Sequence, residues 1–326
     1  MALWENYYLA RDISDALQIL ATEKGEARLI AGGTDLLLEM QQGRHPSVRT
    51  LVDVSRIPEM LRLEIRTDTS RAAEYSRAAE YSQAAEYSRA AEYAQQEHSQ
   101  PQSCLFIGAA LPLSRVVASP LISQHAQALY EAASLIGGPQ VRNTATLGGN
   151  VAHALPAADG MIALLSLDAQ AEIADSKSRQ RLPLIQLFLG PGRSALDPGR
   201  QILVGFYLPL RKPGQASAFR RVMRPQGVAI AILNMSVWLE RRDNLVADVR
   251  IALGPAGPTP QRALAAEESL RNKPLSEPIL KKASHALLEE THFRTSPHRA
   301  TEEYRRHVAV RLLEGILTTA WSRAGE

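Results

Sequence analysis

The chain has 326 residues, enough for two or three domains that each bury a core of their own. Hydrophobic residues make up 45% and charged residues 22%, an ordinary globular balance that excludes a wholly disordered chain. The 37 basic and 34 acidic side chains give a net charge of +3 without any run of five basic residues, so a nucleic-acid partner is disfavoured.

The single cysteine, Cys104, excludes an intrachain disulfide, a zinc finger and an iron–sulfur cluster held by this chain alone, since each needs several thiolates. A reducing compartment is therefore expected. Residues 1–6 show no basic segment followed by an apolar core, so we expect no secretory signal. The longest apolar stretch, at 228–239, is too short to cross a bilayer. These features predict a cytoplasmic protein without a membrane span.

The first part of the chain alternates between helix and strand patterns over about 55 residues, as is typical of a small α/β unit. Ser14 can cap a first helix, and Lys24 and Gly25 end it. The pattern then predicts a buried strand at 27–31, the turn Gly32-Gly33-Thr34-Asp35, a helix at 36–42 before Gly43, and a strand at 51–54.

Strand patterns at 61–65 and 104–107 flank a low-complexity insert, in which the six-residue unit that begins at Ser70 occurs four times up to Tyr93. At this spacing Tyr75, Tyr81 and Tyr87 point to different sides of a helix, so no apolar stripe forms. Arg and Glu three residues apart favour a solvated helix. We expect a surface insert in a hairpin loop; the alternative is an arm that binds a partner.

A second glycine-rich region follows a helix predicted at 127–136. It contains Gly137-Gly138-Pro139 and then Thr146-Leu147-Gly148-Gly149-Asn150. Pro156 can open another helix that runs to Leu165, ahead of a strand at 171–174.

In the C-terminal part, the alternation of helix and strand patterns gives way to four consecutive long strand patterns, at 202–208, 217–223, 229–240 and 246–253. Three helices follow, one at 262–270, one capped by Ser276 and one capped by Thr301. Strands followed by helices indicate an α+β domain. We place the boundary in the polar stretch at 176–181, which gives domains at 1–178 and 179–326. The first domain divides into subdomains at about 1–56 and 57–178, with the insert at 70–95.

The two glycine pairs are candidates for binding a phosphate-containing ligand. Glycine allows the backbone to approach a ligand closely and to expose consecutive N–H groups, which together with a threonine hydroxyl suit a pyrophosphate. A glycine pair is more often only a turn, and two similar pairs in one domain strengthen the case for binding without deciding it. Neither pair has the G-x-G-x-x-G or P-loop spacing. Motifs for a catalytic serine, a zinc hydrolase or a Cys-x-x-Cys pair are absent from the sequence as well.

Five segments in this order resemble the FAD-binding (medium) subunit of molybdenum hydroxylases. That family includes the flavin subunits of bacterial xanthine dehydrogenase and aerobic carbon monoxide dehydrogenase. The segments are Leu29–Leu36, Leu51–Val54, Phe106–Ala110, Gln140–Asn150 and Pro156–Asp159. Glu303–His307 also resembles the family's last helix, so the match covers nearly the whole chain.

The resemblance implies a fold and a set of cofactor-binding residues. The fold is α+β: a two-part α/β FAD-binding domain of the vanillyl-alcohol-oxidase (PCMH) type, followed by a C-terminal domain with an antiparallel sheet and helices. The residues implied to contact FAD are Leu29, Ile30, Ala31, Gly32, Gly33, Thr34, Asp35, Leu36, Ala109, Ile136, Thr146, Gly148, Gly149, Asn150, Asp159, Leu203 and Arg220. No catalytic side chain and no metal site is expected.

Individual roles also come from the resemblance. The segments 29–36 and 146–150 would wrap the FAD pyrophosphate, and Asp159 would hydrogen-bond the ribityl or ribose part. Ile136 and Leu203 would form apolar walls, and Arg220 would place a cation near the flavin. The residues alone allow simpler interpretations: an Asp at a helix N-terminus, a core Leu and a solvated Arg.

The implied function is electron transfer. A large subunit with the molybdenum cofactor would hydroxylate a substrate, and a small subunit with [2Fe–2S] clusters would relay the electrons. FAD on this chain would collect them for NAD⁺, a quinone or another acceptor. The lack of cysteine between Asn150 and Asp159 disfavours the 4-hydroxybenzoyl-CoA reductase branch, which carries a cluster there. The alternatives are a stand-alone FAD oxidoreductase of the same fold and a scaffold that has lost FAD.

Overall fold

The computed structural model describes residues 3–68, 102–224, 230–297 and 299–326. The repeat insert predicted at 70–95 lies outside these described residues. The strands are β1 (Trp4–Leu9), β2 (Ala27–Ile30), β3 (Val48–Asp53), β4 (Leu63–Asp68), β5 (Gln102–Gly108), β6 (Gln170–Ala174), β7 (Arg179–Pro183), β8 (Phe188–Gly190), β9 (Arg193–Ser194), β10 (Ile202–Pro209), β11 (Gln215–Val222), β12 (Leu233–Arg242), β13 (Leu245–Gly254) and β14 (Gln261–Arg262).

The α-helices are α1 (Ile13–Thr22), α2 (Leu36–Gln41), α3 (Leu113–Ala118), α4 (Pro120–His125), α5 (Gln127–Leu135), α6 (Pro139–Arg142), α7 (Leu147–Ala152), α8 (Asp159–Ser166), α9 (Leu264–Leu270), α10 (Glu277–Glu290) and α11 (Glu302–Ala324). Short 3₁₀ helices lie at Glu59–Leu61 and Leu184–Leu187.

The first unit is a parallel three-stranded sheet in the order β1-β3-β2, with α1 and α2 as the crossovers that parallel strands require. The predicted cap of α1 is wrong: Asp12, not Ser14, lies at the N-cap and accepts a hydrogen bond of 2.8 Å from the N–H of Asp15. The helix ends as predicted, because Lys24 and Gly25 adopt the left-handed conformation, with φ of 47° and 96°.

The second sheet is antiparallel, in the order β4-β5-β10-β6-β7. Its central strand β10 pairs with β5 on one side and β6 on the other, and all but one of its residues are buried. The boundary predicted at 178 assigns this strand to the C-terminal domain, whereas its pairing puts it in the central sheet of the first domain. The strand pattern alone does not identify these partners, of which β5 lies about a hundred residues earlier in the chain. A domain boundary at 210–214 fits this pairing better than the one predicted after residue 178.

The C-terminal unit contains the antiparallel sheet β11-β12-β13-β14 and the helices α9, α10 and α11. Side chains of α11, including Leu312 and Ile316, join Met235 and Val237 of β12 in one apolar cluster. From the first domain, α5 packs on β11 and α8 packs on β12 and β13. The two domains therefore meet along this sheet.

The fold class predicted from the resemblance is confirmed. Thr301 caps α11 as predicted, since its side chain accepts from the N–H of Tyr304 at 3.2 Å. Ser276 occupies the N-cap of α10 without a side-chain bond. The helix expected from Pro156 begins instead at Asp159. In the portions of the chain that the structure describes, no helix is both long and apolar enough to cross a membrane.

Candidate functional site

The first glycine turn, Gly32–Asp35, connects β2 to α2 and touches the segment before the second glycine pair. A Cβ atom on Gly32 would lie 2.1 Å from the carbonyl oxygen of Thr144, so only glycine allows the two backbones to approach this closely. Gly33 has a φ of +66°, which also favours glycine. Gly32 thus lies against the backbone just before Thr146, where the second glycine turn begins.

The first glycine turn offers a row of free backbone donors. Within the described residues, the N–H groups of Gly32, Gly33, Thr34 and Asp35 have no hydrogen-bond acceptor in the protein. The carbonyl groups of Gly33 and Asp35, in contrast, accept from α2. Consecutive unpaired N–H groups form a concave anion site. The turn therefore fits a pyrophosphate without requiring lysine.

The second glycine turn, Thr146–Asn150, differs because three of its five amides are bonded within the protein. The N–H of Gly148 donates to the Ala109 carbonyl at 2.9 Å, and that of Gly149 donates to the Thr146 hydroxyl at 3.0 Å. The N–H of Asn150 donates to the Thr146 carbonyl at 3.1 Å. These amides form the first turn of α7, capped by Thr146. Among the described residues the amides of Thr146 and Leu147 also have no acceptor, so the first glycine turn stands out by having four consecutive free amides.

Gly148 has a packing role instead. A Cβ atom at this position would lie 2.5 Å from the Ala109 carbonyl oxygen, so glycine brings α7 against the end of β5. The N–H of Ala109 in turn donates to Val204 of β10 at 2.9 Å. The predicted residues Ala109 and Gly148 thus connect the second sheet to the second glycine turn.

Asp159, the first residue of α8, is buried with a relative exposure of 5%. One carboxylate oxygen accepts from the side-chain amide of Asn234 at 2.6 Å, and the other pairs with the guanidinium of Arg221. Burial raises the pKa of Asp159, and the Arg221 and Asn234 contacts oppose that rise. Asp159 therefore lies at a helix N-terminus, as its simpler interpretation predicted, and is also part of an interdomain polar network.

Three polar atoms around this network are buried without a hydrogen-bond partner: Oδ1 of Asn150, Oδ1 of Asn234 and Nε of Arg221. Asn150 adjoins the network, because a Cβ atom on Gly160 would lie 2.8 Å from its Oδ1. Buried polar atoms are ordinarily paired, so orphans indicate missing partners. Two acceptors and one donor suit a chain of hydroxyl groups such as a ribityl or ribose moiety.

The two predicted wall residues differ in their surroundings. Ile136 directly follows α5 and is half-buried against the core of the first domain. Leu203 of β10 is only 7% exposed and belongs to that core, as its simpler interpretation predicted.

Arg220 is not brought together with the other predicted residues. Its side chain is exposed and donates to the Thr319 hydroxyl of α11 at 2.9 Å. Arg221 points to the opposite side, where it reaches Asp159 and donates to the Leu135 carbonyl at 2.7 Å. Successive residues of a strand point to opposite faces of the sheet, so the adjacent side chains of Arg220 and Arg221 reach different elements.

Sequence reasoning missed Arg221 and Asn234. Phe219 lies two residues before Arg221 and is buried, with 4% exposure. The period of two along β11 could therefore have indicated Arg221 as the inward-pointing cation. Asn234 had a weaker signal, as an isolated polar residue in an apolar strand.

Acidic, histidine and cysteine side chains do not form a metal site within the described residues, where no group of three or more is suitably placed. Cys104 is buried, as its interpretation as a small core residue predicted.

The chain is similar to known proteins in both sequence and structure. The sequence profile of the family described as "FAD binding domain in molybdopterin dehydrogenase" matches residues 3–90 and 76–211. The chain belongs to this family. A second profile, "CO dehydrogenase flavoprotein C-terminal domain", matches residues 217–320. The two matched regions meet between β10 and β11.

Similar members of this flavoprotein family match the chain over almost its full length. The xanthine dehydrogenase FAD-binding subunit of Escherichia coli O157:H7 is 27% identical, over 98% of this chain and 97% of the relative. The carbon monoxide dehydrogenase medium chain of Hydrogenophaga pseudoflava is 25% identical, over 97% of each. A solved structure of carbon monoxide dehydrogenase from that organism superposes with a TM-score of 0.81 at 25% identity, over 98% of each chain. These matches confirm the predicted family and its cofactor, FAD.

Proposed function

We propose that this flavoprotein is the electron-transfer subunit of a molybdenum-containing hydroxylase. It would receive electrons from [2Fe–2S] clusters on a small partner subunit, and a large partner subunit would carry the molybdenum cofactor. The single cysteine supports this division, because clusters need thiolates that this chain does not have. The final acceptor would be NAD⁺, a quinone or another oxidant, and the compartment would be the cytoplasm.

One observation carries the proposal: four consecutive backbone donors, without partners among the described residues, lie in a turn whose Gly32 admits no side chain. In a chain of this family, these donors are placed to hold the FAD pyrophosphate. When bound, FAD supplies the redox chemistry, and the protein supplies binding and orientation.

The polar network around Asp159 and the other predicted residues then have distinct tasks. Asn150, Asp159, Asn234 and Arg221 provide paired and unpaired polar atoms for the hydroxyl-bearing part of FAD. Ile136 offers an apolar surface at the end of α5. The residues Leu29, Ile30, Ala31, Leu36, Thr146, Gly148 and Gly149 would shape the cleft, and Ala109 and Leu203 would support it from the second sheet.

The test has two parts. The purified chain is titrated with FAD, and tagged protein is isolated gently from its native host. We expect stoichiometric flavin uptake and the recovery of a cysteine-rich small chain with a molybdenum-containing large chain. Recovery of a flavin-loaded chain alone would favour a stand-alone oxidoreductase. A colourless chain that takes up no FAD would favour a scaffold and contradict the proposal.

A further inference from the structure

Helix α5 of the first domain runs along the free edge of β11 in the C-terminal sheet. Three hydrogen bonds join them, and the bonded residues are spaced by about one helical turn in α5 and by two residues in β11. They are Ala128 N–H to Ser217 Oγ at 3.0 Å, Phe219 N–H to Glu131 Oε2 at 2.7 Å, and Arg221 Nη2 to the Leu135 carbonyl at 2.7 Å. We call this regular row of three hydrogen bonds the seam, and Arg221 forms its last bond.

Arg221 connects this seam to a further element of the first domain, the start of α8. Its Nη1 pairs with the buried carboxylate of Asp159 at the start of α8, while its Nη2 holds the last carbonyl of α5. Both side chains of the ion pair are 6% exposed. One planar guanidinium therefore fixes the end of α5 and the start of α8 relative to β11.

The end of α5 is where the chain turns toward the candidate flavin site. Ile136 follows Leu135, and Gly137 takes a φ of +58° before α6 begins. Carbonyl groups in the last turn of a helix lack partners within the helix, and a cation there is also favoured by the helix dipole. Arg221 supplies both the donor and the charge.

We propose that Arg221 is a positioning residue for the flavin: it sets Ile136 and Asp159 in one fixed geometry across the domain interface. This inference rests on the proposed function, because it takes these two residues as part of the FAD site. It assigns the cation of this strand to Arg221, and not to Arg220, which the family resemblance indicated. Within the part of the chain that the structure describes, Arg220 bonds to Thr319 alone, on the opposite face of the sheet.

The chemistry of the guanidinium makes the inference testable. Arginine presents several donors in a rigid fork, whereas lysine is a point charge that cannot hold the Leu135 carbonyl and Asp159 in this way. Arg221→Lys should therefore keep the charge and lose the geometry. We expect FAD affinity to fall at least tenfold and the visible circular dichroism of the bound flavin to change. Arg220→Lys and Arg220→Met should stay within twofold of the wild type in both measurements.

Removing the charge at position 221 leaves Asp159 buried without a partner, which can unfold the chain. The double variant Asp159→Asn, Arg221→Met removes both charges and keeps the fold testable. We expect its FAD-free form to melt close to the wild type, while its FAD affinity stays at least tenfold reduced.

The outcomes separate the inference from the proposed function. Wild-type protein that takes up no FAD would contradict both. Wild-type uptake with unchanged affinity and circular dichroism in Arg221→Lys would overturn the inference alone. Larger losses in the Arg220 variants than in Arg221→Lys would overturn it as well, and would return the role to Arg220.

Discussion

The backbone at Gly32 lies so close to Thr144 that a Cβ atom would come within 2.1 Å of the Thr144 carbonyl oxygen. This contact joins the parallel unit to the segment that leads into the second glycine turn. The same turn leaves its own N–H groups without protein acceptors. The close backbone contact and the free N–H groups thus occur in the same turn. A side chain at position 32 would prevent the contact and displace the N–H groups.

Gly32→Ala is therefore expected to lower both FAD affinity and stability. The added methyl group meets backbone atoms that cannot rotate away, and overpacking of this kind costs about 1–3 kcal/mol. The free energy of unfolding and the FAD dissociation constant are measured for the same preparation. Gly199→Ala is the control, because its nearest contacts, at 3.4 Å and 3.7 Å, are ordinary. Equal stability and FAD affinity in Gly32→Ala and the wild type would contradict the packing argument.

The start of α1 allows a direct comparison of the predicted and the observed cap. Asp12→Ala removes the side chain that accepts from the N–H of Asp15, and loss of such a cap typically costs about 1 kcal/mol. Ser14→Ala should cost much less, because its exposed side chain lies within the first helical turn. The free energies of unfolding of both variants, measured in urea, show which of the two side chains caps the helix. A larger loss for Ser14→Ala would show that the sequence-based cap was right.

Local signals predicted well wherever one residue determines the backbone. Lys24 and Gly25 end α1, Thr301 starts α11, and the Gly32-Gly33 turn follows β2 as expected. In such places turn and cap chemistry acts within a few residues. The family resemblance added the cofactor and the fold class, which periodicity alone does not provide.

Properties that depend on distant parts of the chain were not predictable in this way. The position of β10 depends on pairing with strands far away in sequence. The amide of Gly148 is occupied because Ala109 lies above it, which no local pattern indicates. Adjacent arginines at 220 and 221 have the same chemistry, and only packing against α8 and α11 distinguishes them.

An ion pair between Glu59 and Arg179 should make stability depend on pH in a defined range. Two hydrogen bonds, of 2.5 Å and 2.9 Å, connect these side chains, and they lower the pKa of Glu59 from its ordinary 4.5. A carboxylate whose pKa is lower in the folded state stabilises the protein above pH 4.5 and loses that contribution as pH falls through the lower folded value. Because the pair is partly exposed, we expect it to contribute about 0.5–1 kcal/mol to the free energy of unfolding.

Glu59→Gln tests this contribution by chemical denaturation at several pH values. The variant should be less stable than the wild type at pH 7, and the difference should shrink as the pH is lowered below 4.5. Arg179→Gln should show the same trend, because it removes the other partner. A difference that is constant with pH would show that the side chains act through packing.

Arg305 is a buried cation whose hydrogen-bond partners are backbone carbonyl groups. The side chain is 2% exposed, and its Nη1 donates to the carbonyls of Ile232 at 2.7 Å and Pro255 at 3.0 Å. Removal from water lowers the pKa of Arg305, and Arg299 and Arg294 add to the lowering. These two bonds connect α11 to both ends of the β12–β13 hairpin, so the arginine orders the C-terminal domain.

Arg305→Met should therefore destabilise the chain by about 1–3 kcal/mol, since it leaves two buried carbonyl groups without a donor. Arg306→Met is the matched control. The Arg306 side chain is half-buried and makes a single hydrogen bond, of 3.1 Å, to the Leu288 carbonyl. Urea midpoints and slopes are compared for both variants. An unchanged or higher midpoint for Arg305→Met would mean that relief of the buried charge outweighs the two lost hydrogen bonds.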